Sequence, residues 1–187
     1  MANKDAAFGL RPIGKVGQNR DNQGLSEYDI AASASAIYQN DPVEMAATGT
    51  ITVAAATDTL LGSLTGVFFT DASTSKPTFA NHLDASNTAT DIKGFVSDDP
   101  YERFEIQADG ATAAADVGLN ADIVYAAGAS PDYVSKVELQ TSDQKTGTAQ
   151  LRILGISKDI DNNEAGSANV NLVVLINEHQ LKGTTGV

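Results

Sequence analysis

The sequence predicts an all-β protein, a compact β-barrel or β-sandwich, on three observations. Short segments rich in β-branched and aromatic residues alternate with turn signals roughly every 8 to 15 residues. No long amphipathic helix is visible, and no internal repeat of about 20 to 50 residues indicates a solenoid or a propeller. Aromatic residues make up only 6% and Trp is absent, so small side chains must build the core. We therefore expect a chain that gains stability from association with other chains.

The first 24 residues predict an extended N-terminal arm ahead of a single β-rich domain at 25–187. Glycine and proline recur too often there for a helix. These helix breakers are Gly9, Pro12, Gly14 and Gly17. A frayed terminus is one alternative. The apolar residues Phe8, Leu10 and Ile13 favour instead an arm that becomes ordered on a partner.

Charge separates this arm from the rest of the chain. Residues 1–20 hold four basic residues and one acid, a net charge of +3, whereas the whole chain has a formal net charge of −12. The remaining residues therefore sum to −15. A basic arm suits an acidic partner surface, because opposite charges favour encounter and register.

The strands after Gly24 are predicted from alternation and from the turn residues between them. A turn is expected at 40–42 and a long polar loop at 71–91, with one short strand near Phe79. The expected strand segments, in chain order, are 25–33, the stretches on either side of 40–42, 50–53, 63–70, 78–79, 92–96, 103–108, 122–126, 134–140, 148–157 and 169–181. The last two are the strongest in the chain, and the polar loop between them predicts a long C-terminal β-hairpin.

Composition excludes several classes of function. The chain has no Cys, which excludes disulfides, CxxC metal sites and thiol catalysis. No apolar run reaches the roughly 18 residues of a membrane span, and no secretory signal is visible, so we expect synthesis in the cytoplasm and no membrane partner. A pI near 4.3 argues against nucleic acid as a partner, because phosphates would be repelled.

A search for reactive motifs predicts no catalytic residue, no cofactor and no metal site. The loop with Asp159 and Asp161 begins like a calcium loop, but Glu164 and Val170 stand where an EF-hand needs Gly and Glu. His82 and His179 have no metal-ligand spacing. The acidic residues at 98–102 are typical of an exposed turn. The aromatic residues are expected in the core and in subunit contacts. We therefore expect a protein that is not an enzyme.

Three segments of the chain resemble a known class of viral proteins. The opening MANKDAAFGLRPIGKVGQNR, with Gly9-Leu10-Arg11-Pro12, is similar to small structural proteins encoded beside the major capsid protein of tailed phages. The segment 98–110 resembles their Asp-Pro-x-x-x-Phe-x-x-Gln signature, and 151–181 resembles their closing hairpin. The resemblance covers both ends and one central motif, whereas 45–90 adds little.

The resemblance implies a capsid decoration (cement) protein of a bacteriophage. Such a protein binds the outer surface of the viral capsid in the virion, bridges major capsid proteins and thereby stabilises the shell. The resemblance also implies a β-rich homotrimer whose N-terminal arm reaches over neighbouring capsid subunits. The expected capsid-binding residues of that arm are Phe8, Leu10, Arg11, Pro12, Ile13 and Lys15.

Two alternatives stay open at this point. The first is another structural component of the virion, a head-fibre base or a tail-tube subunit. The second is a carbohydrate-binding or adhesion module, which would need a concave aromatic platform.

Overall fold

The computed structural model describes residues 2–17 and 24–183, and there the chain is all-β, which confirms the predicted fold class. Thirteen strands and two short 3₁₀ helices form in these residues. The strands are β1 Arg11–Lys15, β2 Ser26–Asp29, β3 Pro42–Met45, β4 Ile51–Val53, β5 Gly62–Thr70, β6 Pro77–Ala80, β7 Lys93–Ser97, β8 Glu102–Gln107, β9 Asn120–Ala121, β10 Ile123–Val124, β11 Glu138–Leu139, β12 Leu151–Ile156 and β13 Asn171–Ile176. The 3₁₀ helices are Ala114–Asp116 and Gln180–Lys182.

Two main antiparallel sheets organise the fold. The first sheet has the strand order β1-β8-β13-β12-β9. The second sheet has the order β2-β7-β5-β3-β4, and β6 pairs with the far end of β5. Strands β10 and β11 form a small separate ladder. Both main sheets are open, so the architecture is sandwich-like and does not close into a barrel.

Most of the strands lie where alternation predicts them. The strands β12 and β13 of the expected C-terminal hairpin pair antiparallel, with a register irregularity near Gly155. The short strand expected in the polar loop forms as β6. The segments 122–126 and 134–140, in contrast, supply only two-residue strands. Tyr133 there has a φ of +52°, and the backbone at Gly128 approaches Val134 too closely for a side chain, so regular pairing ends early.

Each main sheet has its own buried apolar cluster. Strands β8, β12 and β13 supply the central part of the first cluster, through residues such as Phe104, Leu151 and Leu172. Residues of β5, β7 and the loops around them supply the second, through Leu64, Val96 and others. Leu60 belongs to the first cluster and its neighbour Leu61 to the second, because successive side chains of an extended chain point in opposite directions. The chain therefore joins the two cores at this point.

In its described residues, 2–17, the N-terminal stretch packs on the body of its own subunit, whereas the sequence predicts an extended arm at 1–24 ahead of the domain. In the described part of that stretch, β1 is the edge strand of the first sheet and pairs with β8. Leu10 is fully buried in the first cluster. The physical reason is that a large apolar side chain and four residues of paired backbone are more stable within the subunit than in solvent. Residues 18–23 lie outside the described residues.

This placement makes Leu10 a structural residue, and we predict the consequence of truncating it. Leu10→Ala should lower the free energy of unfolding by about 2 to 5 kcal/mol, because it leaves a cavity beneath an edge strand. Ile13→Ala is the matched control, since Ile13 is 41% exposed, and it should cost well under half as much. Urea unfolding followed by circular dichroism measures both. Equal and small losses in the two variants would mean that the N-terminal stretch is not docked.

Candidate functional site: the N-terminal edge of the first sheet

The site begins with Leu10, which contacts both halves of the fold. Its side chain lies in the first cluster, whereas its main chain bonds to residues of the second sheet and its loops. The Leu10 N–H donates to the Asn40 carbonyl at 2.8 Å. The buried Ser63 hydroxyl, in β5, donates to the Leu10 carbonyl at 2.6 Å. The first residues of the chain are therefore fixed between the two sheets.

Gly9 permits this close approach. It adopts a φ of +74°, a conformation that favours glycine. A Cβ at this position would lie 2.4 Å from Ser135 Cβ and 2.5 Å from the Asn40 carbonyl oxygen. The Gly-Leu dipeptide at 9–10 is therefore required by packing, because any side chain at residue 9 would displace the segment.

The basic residues of the leader pair with acids of the same subunit. Arg11 binds the largely buried carboxylate of Glu105, which also accepts a hydrogen bond from Ser157. Lys15 pairs with Asp99 at 2.6 Å and holds the pKa of that carboxyl below its usual value. An acidic body thus carries a basic leader because the leader neutralises acids of its own sheet.

A buried carboxylate holds the end of β1 against β8. Glu102 is almost fully buried and accepts a hydrogen bond from the Gly14 N–H at 3.0 Å. Burial raises the pKa of Glu102 above its usual value. The next main-chain bond runs from the Val16 N–H to the Tyr101 carbonyl at 2.9 Å. These contacts keep residues 14–16 beside the turn that precedes β8.

Three exposed apolar side chains mark this edge, and we call them the edge patch: Ile13, Val16 and Tyr101. They are 41%, 48% and 61% exposed, respectively. The Lys182 ammonium lies 5.0 Å from the centre of the Tyr101 ring, a cation–π distance. Apolar side chains that stay exposed beside a cation can contact another protein without unfolding the sheet.

The six residues expected to bind the capsid therefore have different environments. Ile13 is exposed, and Arg11 is half exposed, with its guanidinium 4.4 Å from the centre of the Phe8 ring. Phe8 and Pro12 are partly buried. Leu10 is fully buried within its own subunit, whereas the sequence predicts it as an apolar anchor for another protein.

Amide side chains fix the residues that precede this edge. The Asn162 side chain accepts from the Lys4 N–H and donates to the Lys4 carbonyl, both at 2.8 Å. The Gln107 amide oxygen accepts from the Ala6 N–H at 2.9 Å. Asn162 and Gln107 thus supply the hydrogen bonds that a neighbouring strand would supply. The loop between β12 and β13 thus holds Lys4 through Asn162, and β8 holds Ala6 through Gln107.

The acids considered for chemistry have structural partners. Asp98 accepts from the Tyr28 hydroxyl at 2.6 Å, whereas the nearby Asp99 binds Lys15. Asp159 accepts from the Asp161 N–H and from the Asn171 amide, and Asp161 pairs with Lys4. Within 2–17 and 24–183, no cluster of three or more His, Cys, Asp or Glu side chains could hold a metal ion.

A cleft of about 840 Å³ lies between β3 and the segment that follows β13. Its wall includes His179, whose Nδ1 accepts from the Leu181 N–H and whose pKa is lowered by burial to about 4. The imidazole is therefore neutral at pH 7. The Gln180 side chain closes the cleft by bonding to both main-chain groups of Met45. The Gln180 hydrogen bonds thus connect the segment after β13 to β3 of the second sheet.

Two aromatic groupings were not foreseen as surface features. Phe68, Phe79 and Phe95 contact one another on the second sheet. Tyr133 stacks on His82, with ring centroids 3.8 Å apart. The sequence does place Phe68 and Phe79 in alternating segments, but which face each occupies depends on the pairing of β5 with β6. The sequence alone does not reveal the pairing of β5 with β6.

Comparison with known proteins adds no identification. No protein-family profile, no characterised protein and no solved structure matches this chain. In the part of the chain that the structure describes, no helix is long and apolar enough to cross a membrane.

The loop that receives Leu10 contains a buried acid. Asp41 has no exposed surface, and its Oδ2 accepts from the Tyr38 N–H at 2.8 Å. Burial raises the pKa of Asp41 to about 6. At pH values between the ordinary pKa of an aspartate and this raised pKa, the folded state keeps a proton on Asp41 that the unfolded state has released. Ionisation of Asp41 therefore reduces stability as the pH rises.

We predict a pH-dependent effect of Asp41→Asn. The free energy of unfolding of this variant, relative to wild type, should increase by roughly 3 kcal/mol between pH 4 and pH 7, about two pKa units at 1.36 kcal/mol each. The reason is that the asparagine amide stays neutral while the wild-type carboxyl ionises. Urea unfolding at pH 4, 5.5 and 7 measures the difference. A difference that stays constant over this range would contradict the raised pKa.

Proposed function

We propose that this chain is a structural virion protein, not an enzyme, that binds the outer surface of a tailed-phage capsid. One observation supports the proposal most. The three segments that resemble phage decoration proteins, at 1–20, 98–110 and 151–181, supply adjacent strands of one sheet, in the order β1-β8-β13-β12. Segments that lie far apart in sequence but build one sheet are expected if the resemblance reflects one shared structural unit.

The edge patch is the proposed capsid-contact surface. It replaces the free arm, because β1 already occupies its own sheet and Leu10 is buried. Binding then costs little ordering of the chain, since the residues that make contact are held in place before the partner arrives. Ile13, Val16 and Tyr101 supply the apolar centre, and Lys182 lies at the rim beside Tyr101.

The contact is made by side chains and not by strand addition. Pro12 has no N–H to offer to an added strand, and the register of β1 shifts between Pro12 and Gly14. Proline and bulges are features that block pairing at exposed sheet edges. The leader therefore completes its own sheet and protects that edge, instead of adding a strand to the partner's sheet.

Shell stabilisation follows from mass action. A ligand that binds only the assembled shell stabilises it by RT ln(1 + [L]/Kd) at each site. A homotrimer engaging three sites at once gains further through effective concentration. We propose this arrangement, with the major capsid protein as partner, because it requires no catalytic group and no cofactor. The chain would be made in the host cytoplasm and act on the virion surface.

We predict that two acidic substitutions in the edge patch weaken capsid binding. Ile13→Asp/Val16→Asp should raise the apparent Kd for empty expanded capsids of the parent phage by tenfold or more, about 1.4 kcal/mol, because a contacting apolar surface becomes charged. Co-sedimentation with labelled protein measures the Kd. Ile160→Asp, at a loop residue that is 84% exposed, is the matched control and should bind like wild type.

The outcomes separate the parts of this proposal. Wild-type protein that does not sediment with capsids would refute the proposed function. A double variant that is folded and binds like wild type would refute the edge patch alone. Mass photometry of the free and the capsid-released protein tests the homotrimer, for which we expect three times the monomer mass.

A further inference from the structure

A second apolar surface lies on the second sheet, remote in topology from the edge patch. We call it the phenylalanine ridge: Phe79 of β6, Phe68 of β5 and Phe95 of β7. The ring centroids of Phe68 and Phe79 are 4.9 Å apart, and those of Phe79 and Phe95 are 5.8 Å apart. Phe79 is 74% exposed, so the ridge protrudes into solvent among the described residues.

Register explains why the three rings share a face. Phe79 pairs with Phe68, and Phe68 in turn pairs with Lys93, two residues before Phe95. Residues of the same strands that point the other way, such as Val67 and Val96, lie in the second cluster. The sheet thus has a buried face against its core and an opposite face that carries the ridge.

Charges border the ridge on the β2 side. The Lys93 ammonium pairs with Glu27 at 3.3 Å and with Asp29 at 2.7 Å, so this group carries one net negative charge. Asp91, just before β7, accepts hydrogen bonds from Thr70 and adds another. The apolar rings therefore lie beside an acidic border.

We propose that the phenylalanine ridge is a docking surface for a different protein, one that presents an apolar pocket with Lys or Arg at its rim. The protruding Phe79 ring requires a pocket, and aromatic anchors of this kind dominate the energy of protein interfaces. The acidic border selects a basic rim, because electrostatic complementarity fixes partner and register.

Two other occupants fit the surface less well. A second copy would bring the acidic borders of two ridges together, and these borders repel each other. The three phenylalanine rings themselves offer a sugar no hydrogen-bonding group. The neighbouring Glu27, Asp29 and Lys93 are already paired with one another, so their capacity to bind sugar hydroxyls is reduced.

The ridge gives the chain a second point of attachment. A protein that bridges subunits needs at least two contact surfaces, and this chain has one on each main sheet. The inference rests on the proposed function for the identity of its partner, a capsid-shell protein. It goes beyond that function in two respects. The contact surface lies outside the three resembling segments, and the partner is expected to have an apolar pocket with a basic rim.

The experiment compares ridge and border variants on the same capsids. We expect Phe79→Ser to raise the apparent Kd of the full chain for empty expanded capsids of the parent phage at least about tenfold, the effect of losing an aromatic anchor. Phe79→Leu should restore part of the affinity. Ile160→Ser, at a comparably exposed apolar residue, is the control and should have no effect. Glu27→Gln/Asp29→Asn should weaken binding and reduce its dependence on salt.

Each result has one interpretation. If wild type and Ile13→Asp/Val16→Asp behave as the proposed function requires but Phe79→Ser binds like wild type, the ridge inference is overturned and the function stands. If wild type forms oligomers in sedimentation velocity that Phe79→Ser dissolves, a second copy covers the ridge and the inference is also overturned. Binding to a glycan array that Phe79→Ser abolishes overturns it as well. Circular dichroism of every variant verifies that the fold is retained.

Discussion

The position of Leu10 between the two sheets is the constraint on which the rest of the structure depends. Its side chain completes the core of the first sheet, and its two main-chain groups bond to Asn40 and to Ser63 of the second half. Because β1 begins at the next residue, the same anchor sets the register of the edge strand on β8. Leu10 and Gly9 therefore fix one end of the segment whose other end, at residues 14–16, is held by Glu102 and the Tyr101 carbonyl.

The charge pattern has a consequence for recognition. An isolated basic leader on an acidic chain would attract acidic partners over long distances, but Arg11 and Lys15 are neutralised by Glu105 and Asp99 within the subunit. The electrostatic field that Arg11 and Lys15 exert on a partner is therefore small. The capsid contact proposed for this edge therefore depends on short-range apolar contacts, which are little affected by salt and depend on shape complementarity. The same pairing gives Glu105, a largely buried carboxylate of β8, a cationic partner within the subunit.

The sequence predicted the elements whose own pattern determines them. Alternating apolar residues indicated β5, β12 and β13, and turn residues indicated the boundaries around Asn40. The strand β1 was missed because Gly and Pro interrupt it, and its hydrogen bonds come from β8, some 90 residues later in the chain. Phe79 could not be recognised as exposed for a similar reason: a short edge strand shows which residue faces solvent only when its partner and register are known.

The two proposed contact surfaces lie on different sheets. The segments that resemble capsid decoration proteins form strands of the first sheet, whereas the phenylalanine ridge belongs to β5, β6 and β7, all of which lie outside those segments. A shared sheet can preserve one mode of attachment while the other sheet varies to fit a particular partner. Leu10 and Leu60 lie in the first core and Leu61 in the second, so two consecutive residues of the chain connect the packed cores of the sheets that carry these two surfaces.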